Sequence, residues 1–234
     1  MFRGSGGGFR KTLIFACVVL GVVVGRSAEG QTFTEYTIPT SDSGPAGITA
    51  GPDGNIWFVE SATSKIGRIT PSGVITEFAL ASANGVPAAI TSGPDGNLWF
   101  TDNKLPGIGR ITTSGVVTMF PLSSASGPAD IASGPDGALW FTDNKANQIG
   151  RMTTSGAASF FSIPTAGGSP VGIVKGPDNN LWFTEVLGSK IGRITTAGLV
   201  TEYALDSGVG PALIASGPDG NLWFTDPLST KVGK

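Results

Sequence analysis

Five carboxylates recur at one place in the chain, three residues after each tryptophan: Glu60, Asp102, Asp143, Glu185 and Asp226. Carboxylate oxygens suit hard divalent cations, so a ring of such acids would hold a metal ion or a cationic ligand. The same acids have a structural use. Each lies one strand away from a basic residue of its own repeat, Arg68, Arg110, Arg151, Arg193 or Lys234, and a repeated cross-strand ion pair is expected there. Recurrence favours this second use, because a single active site should differ from its neighbours. The chain has no His and one Cys, Cys17. That excludes a Ser/His/Asp triad, a Cys/His dyad and His-ligated zinc, and leaves chemistry to carboxylates, Lys, Tyr and hydroxyls.

Departures from the repeat are the other pointers. Asp130 is the one acid in the Pro-x-x-Ile segments that open the repeats. Lys104, Lys145 and Asn147 vary the loops after the acids, and Asp42 and Asp206 vary the approach to the next repeat. These residues form no recognisable acid and base pair, and loop polarity accounts for them. Glu35, Glu77 and Glu202 fall on the last strand of a repeat, where exposure at the rim is expected.

The elements that carry these residues follow from a period. Trp57, Trp99, Trp140, Trp182 and Trp223 recur at intervals of 42, 41, 42 and 41. Each unit reads as a Pro-x-x-Ile start, a G-P-D-G turn, an N-L-W-F-T-D strand, a K-I-G-R-I-T strand, a T-x-x-G turn and a V-T-E-F strand. Alternation of apolar and polar residues in Lys65 to Ile69 and Val74 to Phe78 fits strands with two unlike faces. Four short strands repeated about every 42 residues predict an all-β fold, a β-propeller of four-stranded blades with five repeat units. In the turns Pro presets φ, Asp bonds its own backbone and Gly takes positive φ, so Asp53, Asp95, Asp136, Asp178 and Asp219 are assigned to turns rather than to calcium. The tryptophans are expected to fill the space between blades, each burying roughly 150–250 Å².

The ends of the chain read differently. Arg3, Arg10 and Lys11 precede an apolar run from Thr12 to Gly25 and small residues near Gly30, so residues 1–30 read as a secretory signal peptide and 31–234 as the propeller domain. The run is short for a membrane span of roughly 20 residues, and an uncleaved N-terminal anchor is the alternative reading. Cys17 lies inside it, leaving the mature part without cysteine. The formal charge of the whole chain is −2, and losing Arg3, Arg10, Lys11, Arg26 and Glu29 makes the remainder more acidic. No nucleic-acid partner is expected, nor a membrane partner in the mature form, and localisation is expected to be secreted or periplasmic. Phe33 to Ile38 matches Ile75 to Leu80, a fourth strand without the preceding three, while Lys231 to Lys234 matches the start of a third strand. Either five blades close by pairing these ends, or the chain is a fragment of a larger ring whose uncovered faces would invite self-association.

The recurrent G-P-D-G-x-L-W-F-T-[DE] followed by K-I-G-R-I-T-x-x-G-x-[VI]-T-E-[FY] resembles the repeat of the virginiamycin B lyase (streptogramin lyase) family over essentially all of residues 33–234. That resemblance implies a seven-bladed ring and a metal-assisted elimination that opens a cyclic depsipeptide. It also implies an E-P-H-G-I motif entering a late blade, with the His as base and the Glu helping to hold magnesium. The matching segments here are Gly44 to Ile48, Val86 to Ile90, Gly127 to Ile131, Ser169 to Ile173 and Gly210 to Ile214. The His position holds Ala or Val each time, and the Glu position Gly, Val or Ser. No catalytic or cofactor-binding residue is therefore carried over; magnesium is implied by the resemblance alone, with the five acids after the tryptophans as metal candidates. The expectation is a secreted, non-catalytic propeller that binds a small molecule, glycan or peptide on one face. The rival readings are an active lyase using another base, and a truncated or structural protein.

Overall fold

A computed structural model describes residues 22–24, 32–123 and 125–234. The chain divides into two compact units, Met1–Ile38 and Pro39–Lys234. In the first, β1 (Val22–Val24) pairs antiparallel with β2 (Thr34–Tyr36). The rest of the segment read as a signal peptide, Cys17 included, lies outside the described residues.

The second unit is a five-bladed β-propeller with no helix among the described residues. Blade 1 holds β3 (Pro45–Ala50), β4 (Ile56–Glu60), β5 (Lys65–Ile69) and β6 (Ile75–Ala79). Blade 2 holds β7 (Pro87–Ser92), β8 (Leu98–Asp102), β9 (Gly107–Ile111) and β10 (Val117–Pro121). Blade 3 holds β11 (Pro128–Ser133), β12 (Leu139–Asp143), β13 (Gln148–Met152) and β14 (Ala158–Ser162). Blade 4 holds β15 (Pro170–Lys175), β16 (Leu181–Glu185), β17 (Lys190–Ile194) and β18 (Val200–Ala204), and blade 5 holds β19 (Ile214–Ser216), β20 (Leu222–Asp226) and β21 (Lys231–Gly233). Strands pair in chain order within each sheet, and the first strands of consecutive blades lie side by side.

Pairing of Phe33 to Ile38 with the end of the chain is not what the structure has. β2 takes β1 as its partner, and the fifth sheet has three strands. The valine run supplies a β-branched strand close in sequence.

Each turn and strand of the repeat has a visible reason. In blade 1 the Asp53 Oδ1 accepts hydrogen bonds from the Asn55 N–H (3.2 Å) and the Trp57 indole N–H (3.0 Å). The turn therefore satisfies the one polar atom of a fully buried ring. Phe78 stacks on Trp57 at 5.5 Å, and the Arg68 guanidinium sits 5.6 Å from the Trp57 ring. The glycine of K-I-G-R-I is forced by contact: a Cβ on Gly67 would lie 2.1 Å from the Phe58 ring.

Blades meet through apolar faces. Trp57, Val59 and Ile66 of blade 1 pack with Ile90, Leu98 and Phe100 of blade 2, and the same arrangement recurs between blades 2 and 3 and between blades 3 and 4. Trp57, Trp99 and Trp140 are wholly buried, as the period predicts. Trp223 is 39 % exposed and Ile48, the first-strand isoleucine of blade 1, is 68 % exposed; among the described residues no further blade packs on those two faces.

A polar clamp accompanies the apolar contact. The ladder between first and second strands slips between Pro87 and Ile90, and the Ala89 N–H freed by this bulge donates to Thr101 Oγ1 (3.1 Å). Thr101 in turn donates to the Ala129 carbonyl of the next blade (3.0 Å). Thr142 and Thr184 do the same from Asp130 to Val171 and from Gly172 to Ala212. The N–H freed by each bulge is thus satisfied by a threonine hydroxyl of its own blade, and that hydroxyl donates to a backbone carbonyl of the following blade.

Candidate functional site

The opening segments and the loops after the second strands lie on one face, because the register pairs Pro45 with Glu60, Pro87 with Asp102, Pro128 with Asp143 and Pro170 with Glu185. All five carboxylates stand at that junction and all are buried. Their surroundings fall into two types, set by side-chain length.

The aspartates staple two loops together. Asp102 Oδ1 accepts from the N–H groups of Val86 (3.0 Å), Lys104 (3.1 Å) and Leu105 (3.0 Å). Asp143 Oδ1 accepts from Gly127 (2.7 Å) and Ala146 (3.2 Å), while its Oδ2 accepts from Gln148 Nε2 (3.1 Å). Asp226 repeats the pattern with Gly210, Leu228 and Ser229.

The glutamates reach past those donors. Glu60 Oε1 and both Glu185 oxygens are buried with no hydrogen-bond partner among the described residues. Burial, with the charge of Glu77 beside it, pushes Glu60 up to about 7; burial, with Glu202 beside it, does the same to Glu185. Each sits near a lysine and a second glutamate. Lys65 Nζ donates to Thr40 Oγ1 (2.5 Å) and pairs with Glu77 (3.5 Å); Lys190 Nζ donates to Thr165 Oγ1 (2.5 Å) and pairs with Glu202 (2.6 Å). Thr40 and Thr165 return backbone and hydroxyl hydrogen bonds to the same glutamates. Burial works to raise the Glu202 carboxyl, but Lys190 and Thr165 outweigh it and hold it below the usual range.

Three expectations are corrected by this geometry. The acids do not pair with the arginines of the next strand, since register sets Asp102 opposite Gly107 and Arg110 opposite Trp99, at the other end of the strand. Four of the basic residues turn to the turn aspartates instead, among them Arg151 to Asp136 at 2.6 Å and Lys234 to Asp219 at 3.7 Å, while Arg68 donates to the Thr113 carbonyl at 3.0 Å. Glu77 and Glu202 are not exposed rim residues; their side chains are 15 % and 12 % exposed and ion-paired. Asp130 is no loosely placed loop acid: its Oδ1 accepts from Ile131 N–H (2.8 Å) and its Oδ2 from Ile173 N–H (2.9 Å), tying blade 3 to blade 4, and burial pushes its carboxyl up.

The Glu–Lys–Glu–Thr sets were missed in the sequence, although a signal was there. Thr40, Glu60, Lys65 and Glu77 recur together as Thr165, Glu185, Lys190 and Glu202, and all four differ together in blade 2.

A magnesium ion does not fit these donors. It demands octahedral oxygen ligands, whereas each acid here sits in its own blade, held through one oxygen by backbone N–H groups or set beside a lysine. No group of three or more His, Cys, Asp or Glu side chains converges among the described residues. The opening segments themselves carry Asp130 as their one ionisable side chain.

Blades joined through tryptophan faces, with their opening segments gathered on one side, define a repeat propeller with a common loop face. The model of the virginiamycin B lyase family matches residues 18–156 and 123–234, and the chain belongs to that family. The virginiamycin B lyase of Staphylococcus aureus superposes with a TM-score of 0.85 at 42 % identity, over 91 % of this chain and 73 % of that one. A streptogramin B lyase structure gives 0.82 at 41 % identity, over 90 % and 70 %. The virginiamycin B lyase of Bacillus licheniformis is 49 % identical over 39 residues, a match spanning 17 % of this chain and 13 % of that relative.

Proposed function

We propose that this chain is an exported member of the lyase family that binds a small molecule, glycan or peptide on its loop face without performing the elimination. The carrying observation is that none of the five opening segments bears an imidazole, in a chain with no His at all. A histidine-to-alanine variant of the Staphylococcus aureus virginiamycin B lyase is catalytically inactive and has been solved with quinupristin, at a TM-score of 0.85 to this chain. Loss of the imidazole there leaves a protein that still takes a ligand, which is the state assigned here. The basic residues and apolar run at the start of the sequence support export.

Incubating the purified protein with quinupristin and magnesium, then looking for a ring-opened product by mass spectrometry, tests the chemistry. No product is expected. Calorimetric titration with quinupristin tests binding in the same sample, and product formation would restore the enzyme.

A further inference from the structure

We infer that blade 2 carries a binding site for a primary alkylammonium group, a site defined by what the other blades put in the same place. In blades 1 and 4 a lysine stem runs through the junction and delivers its ammonium to a threonine hydroxyl and a glutamate, as Lys65 does with Thr40 and Glu77. Strand register fixes the counterparts in blade 2. Gly107 stands opposite Asp102 as Lys65 stands opposite Glu60, and Met119 opposite Gly109 as Glu77 opposite Gly67. Ser82 takes the place of Thr40. Blade 3 fills the same position with Gln148, whose amide donates to Asp143.

Blade 2 has neither lysine nor glutamine there, and the structure shows a cavity of about 280 Å³ with Leu80, Ser82, Asp102, Leu105, Gly107 and Met119 among its lining residues. Apolar side chains form most of the wall. Asp102, only 1 % exposed, supplies a carboxylate, and its Oδ1 is taken by three backbone N–H groups. Oδ2 has no hydrogen-bond partner among the described residues. An ammonium at that free oxygen would add a charge-assisted hydrogen bond in a mainly apolar pocket. Four or five methylenes would lie along Leu80, Leu105 and Met119 while the ammonium meets Asp102 Oδ2 and the Ser82 hydroxyl. Both a free alkylamine and the lysine side chain of a peptide carry this chemistry.

Titrating the full chain with n-pentylammonium, 1-pentanol and pentanoate at neutral pH, by calorimetry or NMR, tests the site. Saturable pentylammonium binding is expected, at least about tenfold tighter than the alcohol, with the carboxylate not binding. Asp102→Asn should bring the ammonium down to the affinity of the alcohol. The double variant Gly107→Lys/Met119→Glu rebuilds the set of blade 1 and should weaken pentylammonium at least about tenfold. Gly107→Gln, copying blade 3, gives a second filled cavity should the double variant not fold. A capped lysine tripeptide as tight as pentylammonium would mark a peptide side chain as the source, and a weaker one a free amine; either keeps the site. No saturation by the native chain, equal affinity for the alcohol, or undiminished binding by a folded filled variant would overturn it.

Discussion

Trp140 and Trp223 occupy the same place in the same L-W-F-T-D strand and meet different fates. Trp140 is wholly buried, donates to Asp136 at 3.0 Å and stacks on Phe161 at 5.6 Å. Trp223 keeps the bond to Asp219 at 3.1 Å but is 39 % exposed, on a sheet that ends at its third strand. The first-strand isoleucines make the same contrast, Ile131 at 4 % exposure and Ile48 at 68 %. The turn that fixes the indole is local to the repeat, and survives in both. The burial that makes the indole stabilising is supplied by the next blade.

The contrast can be broken most sharply at the indoles. Trp140→Ala should cost about 3–5 kcal/mol in denaturant unfolding, as deletion of a large core aromatic does, while Trp223→Ala should cost less than half of that. A smaller effect separates the clamped interfaces from the unclamped first one. Thr142→Val leaves the Asp130 N–H and the Val171 carbonyl without their partner, and a loss of about 1–3 kcal/mol is expected. Val59 stands at the corresponding place in blade 1; Val59→Thr would reinstate the clamp and should stay within about 1 kcal/mol of the native chain.

The buried glutamates give a pH-dependent contrast with the stapled aspartates. Folding raises Glu185 from the ordinary 4.5 to about 7. Its contribution is thus fully present below pH 4.5 and lost as pH rises through about 7. Glu185→Gln should leave melting unchanged near pH 4 and raise it by about 2–4 °C at pH 8. Asp143→Asn at the same pH should lower it, because that carboxylate accepts backbone N–H groups. The smallest expected effect lies in the cation stacked on the indole. Arg151→Met should cost about 0.5–1 kcal/mol through the lost contact with Trp140 and the lost ion pair with Asp136, and Lys234→Met, over the half-open Trp223, should not be measurable.

Much of the architecture was legible because it is periodic. The tryptophan spacing, the G-P-D-G turns and the alternation in Lys65 to Ile69 locate strands and turns where the structure has them. The candidate acids were legible as positions at the mouth of a loop. Their partners were not, since which residue opposes Asp102 depends on where a hairpin sets its register. The difference between aspartate and glutamate, one methylene, also escaped notice. That length decides whether the carboxylate reaches the backbone donors of the opening loop or stays buried beside a lysine. Ring closure by Phe33 to Ile38 was one of two outcomes the pattern allowed, and a strand pattern does not name its partner.

By itself the sequence determined the unit: a local code of turn residues, alternating faces and an indole repeated five times, readable because each piece acts over a few neighbouring residues. Only the tertiary structure decided which copies of that unit are covered, which carboxylates find donors, and that the glycine at position 107 leaves a cavity where other blades place a lysine or glutamine. Those outcomes depend on contacts between residues tens of positions apart, where burial and hydrogen-bond geometry are set by the neighbouring blade and strand.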